Sequence, residues 1–152
     1  MLKQWVGNSN INQVSQKQLG ELPTWADQIQ AELPANMHKM AHALFAEFLD
    51  NLQPLLDLGL DYLTMARNGN TLSTGELQRI QLARTLRTET TGVLYVLDEP
   101  SIGLHPANVA GLIKVLRKLV NQGNSLVVVD HNVDIIAAAD EVIEIGPGSG
   151  EK

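Results

Sequence analysis

The chain has 152 residues, 44% of them apolar and 18% charged, with a formal charge of −6. This is the composition of one ordinary globular domain, and it excludes disordered and fibrous classes. Zero cysteines exclude disulfides, thiolate chemistry and Cys-based zinc sites, four scattered histidines leave Mg²⁺ as the metal to consider, and the acidic balance excludes a surface that grips phosphate backbone throughout.

Met1-Leu2-Lys3-Gln4-Trp5 lacks the apolar core of a secretion signal, and no apolar run approaches the ~20 residues that span a bilayer, so a cytoplasmic chain with no membrane partner is expected. Residues 1–70 read as a mainly helical segment. Thr24 opens a short helix that Pro34 ends. From Ala35 to about Leu60 apolar residues recur at helical spacing (Met40, Leu44, Phe48, Leu52, Leu55), with Pro54 predicting a break or kink near Gln53. His38 and His42 lie one turn apart, but no His-Glu-x-x-His pattern accompanies them and they read as ordinary surface histidines.

Asn68-Gly69-Asn70 is a turn by composition, and beyond it residues 71–152 alternate between helix and strand. Helix Gly75 to Arg87 leads to strand Val93 to Leu97, helix Pro106 to Asn121 to strand Leu126 to Val129, and helix Val133 to Ala139 to strand Val142 to Ile145. Such alternation implies an α/β fold with a parallel sheet and crossover helices. The apolar strand runs are continuous rather than alternating, which predicts strands covered on both faces. Pro106 suits a first helical position, and Gly123 supplies the stop.

The chemistry concentrates at the ends of these elements. Val93-Leu94-Tyr95-Val96-Leu97 runs straight into Asp98-Glu99-Pro100-Ser101, which places two carboxylates at the carboxyl edge of a sheet, where open α/β sheets bind ligands. Taken alone, Asp98 to Ser101 also reads as a polar turn. Leu126-Val127-Val128-Val129-Asp130-His131 brings His131 to the same edge. Leu72-Ser73-Thr74-Gly75-Glu76 opens a helix, so unpaired N–H groups converge there on an anion site, although Ser73-x-x-Glu76 equally fits a capping box. Arg79, Arg84 and Arg87 scatter around that helix as ordinary solvated charge.

In order and spacing, Leu72 to Glu76, Leu97 to Ser101, Ile102-Gly103-Leu104-His105 and Asp130-His131 resemble the signature motif, Walker B, D-loop and H-switch of ABC-type ATPases. The wording Gly59-Leu60-Asp61-Tyr62-Leu63-Thr64, Gln78-Arg79-Ile80, Gly92 to His105 and Ile145-Gly146-Pro147-Gly148 is similar to the UvrA family or a UvrA-like paralogue. It is closest to the first of that family's two ATPase modules, densely over residues 55–150 and loosely before them.

The resemblance implies the C-terminal part of an ABC ATPase domain of P-loop NTPase type, with a helical signature subdomain followed by parallel βαβ units. It implies ATP and Mg²⁺ as cofactors, a second ABC module as partner, and a parent protein that couples ATP hydrolysis to DNA binding and damage recognition in nucleotide excision repair. DNA and other excision-repair subunits are partners on the same ground. By that likeness Asp98 holds Mg²⁺ through water, Glu99 orients or deprotonates the attacking water, and His131 contacts the γ-phosphate. Ser73, Thr74, Gly75 and Glu76 serve the nucleotide of the opposing module, and Ser101 and Gly103 belong to the loop that passes between modules.

Two departures from the family pattern stand out. Thr74 replaces the glycine usual after the signature serine, which restricts the backbone and adds bulk beside a phosphate. No Gly-x-x-x-x-Gly-Lys loop followed by Ser or Thr occurs, and Gly146 to Lys152 imitates one with Glu151 where the second glycine belongs. The chain is therefore expected to be a piece of a larger protein, inactive alone, with any zinc in the missing parts. An ABC transporter or drug-resistance ATPase, and a non-catalytic interaction module of ABC fold, remain alternatives.

Overall fold

A computed structural model of the chain describes residues 5–6, 9–88 and 90–146. Two short strands, β1 (Trp5–Val6) and β2 (Ser9–Asn10), pair antiparallel and lead into α1 (Ile11–Ser15). Asn10 starts α1 through a capping box, its side chain accepting from Gln13 N–H while the Gln13 side chain accepts from Asn10 N–H, each at 2.9 Å.

Helix α2 (Leu22–Glu32) carries Pro23 in its first turn, where the missing N–H costs nothing, and so begins two residues before Thr24. It stops where expected, since Leu33 is extended before Pro34. Helix α3 (His38–Asp57) corrects the break predicted near Gln53, because it runs on through Pro54. Pro54 stands in the last turn and forfeits only the bond to the carbonyl of Asp50, an exposed residue whose oxygen water can reach.

Helix α4 (Thr74–Arg87), strand β3 (Leu94–Asp98), helix α5 (Pro106–Asn121) and strand β4 (Ser125–Val129) form a βαβ unit preceded by a packing helix, and α6 (Val133–Ala137) follows. The two strands pair parallel, in register from Leu94 with Ser125 to Asp98 with Val129. The core joins the end of α3 to α5, with Leu58, Leu60, Leu112, Val115 and Leu119 fully buried. Backbones approach closely there: a Cβ on Gly111 would lie 1.9 Å from the carbonyl oxygen of Asp57.

The sheet differs from expectation in two ways. Tyr95, Leu97, Leu126 and Val128 turn toward the core, but Leu94 (61% exposed), Val96 (68%), Val127 and Val129 stand open, so only one face is covered among the described residues. Residues 142–145, predicted as a strand, are irregular, with Val142, Ile143 and Ile145 exposed. An extended segment becomes a strand only when a neighbour takes up its ladder hydrogen bonds, and none of the described residues does.

Candidate active site

Strand β3 delivers Asp98 as its last residue, on the uncovered face it shares with Leu94 and Val96. The pairing extends one step further, since Glu99 N–H donates to the Val129 carbonyl at 2.7 Å. Glu99 then adopts φ +45°, a left-handed conformation that is uncommon for a residue with a side chain, and its carbonyl accepts from Ile102 N–H at 3.0 Å to close the turn. One strand over, β4 ends in Asp130 and His131. His131 Nδ1 lies 3.9 Å from Glu99 Oε1, within ion-pair reach of a protonated ring, and both side chains are open to solvent. The two predicted catalytic residues thus meet at the carboxyl edge beside Asp98. An exposed carboxylate with a second one next to it is a set of hard oxygen donors, which suits Mg²⁺.

At the start of α4 the capping box forms without using every helix-end N–H group. Ser73 Oγ accepts from Glu76 N–H at 3.2 Å, and Glu76 Oε2 accepts from Ser73 N–H at 2.6 Å. Two of the four orphan donors are thereby used, leaving the N–H groups of Thr74 and Gly75 for an anion. The exposed Thr74 side chain stands at that opening.

Glu76, expected among the nucleotide contacts, is instead buried, with its oxygens taken by neighbours. Tyr62 OH donates to Oε1 at 2.6 Å, and Arg67 Nη1 lies 3.3 Å from the same atom. The Tyr62 hydroxyl first, then Ser73 N–H and the Arg67 charge, outweigh desolvation and bring the Glu76 carboxyl down to about 2. Burial, reinforced by the Glu76 hydrogen bond and charge, pushes the Tyr62 hydroxyl up. Glu76 therefore braces the turn that opens α4.

Ser101 is engaged in a similar way. It is buried, its hydroxyl donates to Asp130 Oδ1 at 2.7 Å, and its N–H donates to Asp130 Oδ2 at 3.1 Å. A side chain so engaged holds the turn instead of facing a ligand. Burial works against the Asp130 charge, but donors from Asn132 N–H, the Ser101 hydroxyl, Ser101 N–H and His131 N–H prevail and hold its carboxyl below the usual aspartate range. Gly103, at φ +71°, has nothing within 4 Å of where a Cβ would stand and lies open at the loop tip.

Arg79 departs from its reading as solvated charge, whereas Arg84 and Arg87 are exposed as expected. Arg79 is buried, its Nη1 donates to the Ile102 carbonyl at 3.3 Å, and it runs beside Gly75. Gln78 Nε2 reaches the Asp98 carbonyl at 3.4 Å. The helix that begins with Ser73 is thus tied to both the strand end and the loop after it. Asp130, Arg79, Tyr62 and Arg67 were not among the predicted site residues. An aspartate directly before His131 at a strand end was a usable signal for the first, but nothing local marks the other three.

Elsewhere, His38 and His42 line a shallow groove with Asp27, Gln30 and Ala31. His38 Nε2 is bonded to the Leu33 carbonyl at 2.6 Å, and among the described residues no group of three ligands is placed to hold a metal. No described helix is long and apolar enough to cross a membrane. Apart from Gly146, the imitation phosphate loop lies outside the described residues.

No family model matches the chain. It is 43% identical over 145 residues to UvrABC system protein A of Brucella suis biovar 1, covering 95% of this chain and 15% of that protein. The protein of the same name from Thermus thermophilus is 44% identical with the same coverage. The crystal structure of UvrA2 from Deinococcus radiodurans matches with a TM-score of 0.73 and 42% identity, over 86% of this chain and 17% of that one. The chain therefore spans about 15% of the length of the curated relatives it matches.

Proposed function

We propose that this chain, a relative of the UvrA proteins over 95% of its length, is the signature and Walker B part of an ATP-hydrolysing module. The observation that carries the reading is the meeting of Glu99 and His131, 3.9 Å apart, at the carboxyl edge of a parallel strand pair beside the free carboxylate of Asp98. Phosphoryl transfer asks for positioning and charge neutralisation more than covalent chemistry, and these three groups supply both.

In this reading Asp98 would hold Mg²⁺, which would supply charge neutralisation at the phosphates. Glu99 accepts a hydrogen bond, and then the proton, from the water that attacks the γ-phosphorus. His131 donates from its ring to a γ-phosphate oxygen. Ser73 keeps its hydroxyl proton for donation while its oxygen caps α4, and with the Thr74 and Gly75 N–H groups it closes over the nucleotide of an opposing module. Residues 101–104 pass between the two modules.

The cradle for the β- and γ-phosphates belongs to sequence this chain does not contain, so the 152 residues alone do not turn over ATP. The curated relatives are named for the UvrABC system, which favours excision repair over transport as the setting. The longer protein would couple hydrolysis in the cytoplasm to DNA binding and damage recognition, with a second ABC module and other repair subunits as partners. Steady-state hydrolysis by the full-length protein tests the core of this reading. Glu99→Gln should lower kcat about 100-fold or more while ATP still binds, and an unchanged kcat would overturn it.

A further inference from the structure

We propose that Asp130 is the positioning residue that sets the spacing of Glu99 and His131. The proposal rests on the reading of those two residues as the pair that faces the reacting phosphate. Neither side chain has another polar partner among the described contacts, and both project into solvent. Their separation is therefore fixed by the two backbone turns that carry them, and beyond the Glu99 N–H to Val129 carbonyl bond that ends the ladder, the Asp130 carboxylate joins those turns.

Asp130 Oδ1 accepts from the Ser101 hydroxyl at 2.7 Å and from Asn132 N–H at 2.8 Å, and Oδ2 accepts from Ser101 N–H at 3.1 Å. Ser101 stands two residues after Glu99, and Asn132 directly follows His131. Asn132 is itself fixed, because its side chain caps α6 by accepting from Asp134 N–H at 2.9 Å and from Ile135 N–H. An unbroken line of hydrogen bonds thus runs from the Glu99 turn through Asp130 to α6.

The chemistry of the group matters as much as its place. Besides the adjacent His131 N–H, three hydrogen-bond donors converge on it, and an ionised carboxylate is the acceptor-only side chain that serves them all. The left-handed backbone at Glu99 persists only where its surroundings over-determine it, and the buried Ser101 anchor supplies that constraint. Asp130→Asn preserves shape but sets an amide N–H₂ against one of these donors, so one end of the link comes free.

The test has a nucleotide-free arm and a kinetic arm. In the chain itself, nuclear Overhauser cross-peaks between the His131 ring and the Glu99 side chain should be present. In Asp130→Asn they should fall by at least half, while the Leu97 to Val128 contacts of the strand pair stay intact. Unchanged cross-peaks in the variant, or none in the native chain, overturn the proposal. If Asp130→Asn does not fold, Ser101→Ala removes the hydroxyl donor alone, and undiminished cross-peaks there overturn it equally.

In the full-length protein Asp130→Asn should lower kcat about tenfold or more with KM for ATP within about twofold, as a misplaced reacting group does. It should add no further loss to His131→Ala, whereas independent, multiplying losses would contradict action through the pair. The first arm needs no ATP, so its failure is separable from failure of the hydrolytic reading.

Discussion

Glu76 shows how a buried carboxylate can brace the turn that opens a helix. Tyr62, Ser73 N–H and Arg67 bring its carboxyl to about 2, below the ordinary 4.5. Because the folded value is the lower one, the charged carboxylate stabilises the fold fully above pH 4.5, and that contribution fades as pH falls toward 2. Asp130 acts in the same direction below the usual aspartate range. Thermal unfolding followed across this acid window should show the melting temperature falling, and Glu76→Gln should flatten the slope. A variant that loses stability as steeply as the native chain would show that Glu76 is not its source. From Ser73-x-x-Glu76 alone, a capping box and an anion site are rival readings; the box forms, and it leaves the Thr74 and Gly75 donors for the other. The burial of Arg79 and Ser101 was not legible, since each depends on a partner more than 20 residues away.

At the scale of elements, punctuation carried the prediction. Helix α5 spans Pro106–Asn121, as read from a proline at its start and Gly123 beyond its end, and the Leu33-Pro34 step ends α2 as expected. Pro54 misled because its cost depends on whether the freed carbonyl is wet, and Asp50 is exposed. The third strand failed because strand formation needs a partner edge, which no local pattern encodes. The contact between α3 and α5 was equally invisible. Gly111→Ala should destabilise the chain by about 1–3 kcal/mol in urea unfolding, because the new Cβ meets the Asp57 carbonyl rather than a movable side chain. Gly69→Ala, with nothing within 4 Å, should change little. Equal stability of the two variants would count against that close approach.

The whole molecule is acidic, with an uncovered sheet face bearing Leu94, Val96, Val127 and Val129. Continuous apolar runs announced the two strands, but the cover expected on both faces is present on one among the described residues, since a local pattern does not say where the second layer comes from. The same asymmetry bears on DNA. Arg84 and Arg87 are exposed in the last turn of α4, in a chain whose formal charge is −6. Charge reversal at both in the full-length protein should leave DNA affinity and its salt slope unchanged, and a flatter slope would make α4 a phosphate contact. The shared edge of Asp98, Glu99 and His131 was legible from the two strand ends, while the Asp130 contacts between the turns required the folded chain. The central claim is that this edge supplies metal, water and γ-phosphate contacts to a nucleotide cradled by other sequence. Measuring ATP turnover by the full-length protein, its Glu99→Gln variant and the 152-residue chain in parallel tests it most directly. Hydrolysis is expected in the first, a loss of about 100-fold or more in the second and no turnover in the third. Turnover by the 152-residue chain that Glu99→Gln abolishes, or native turnover in the full-length variant, would contradict it.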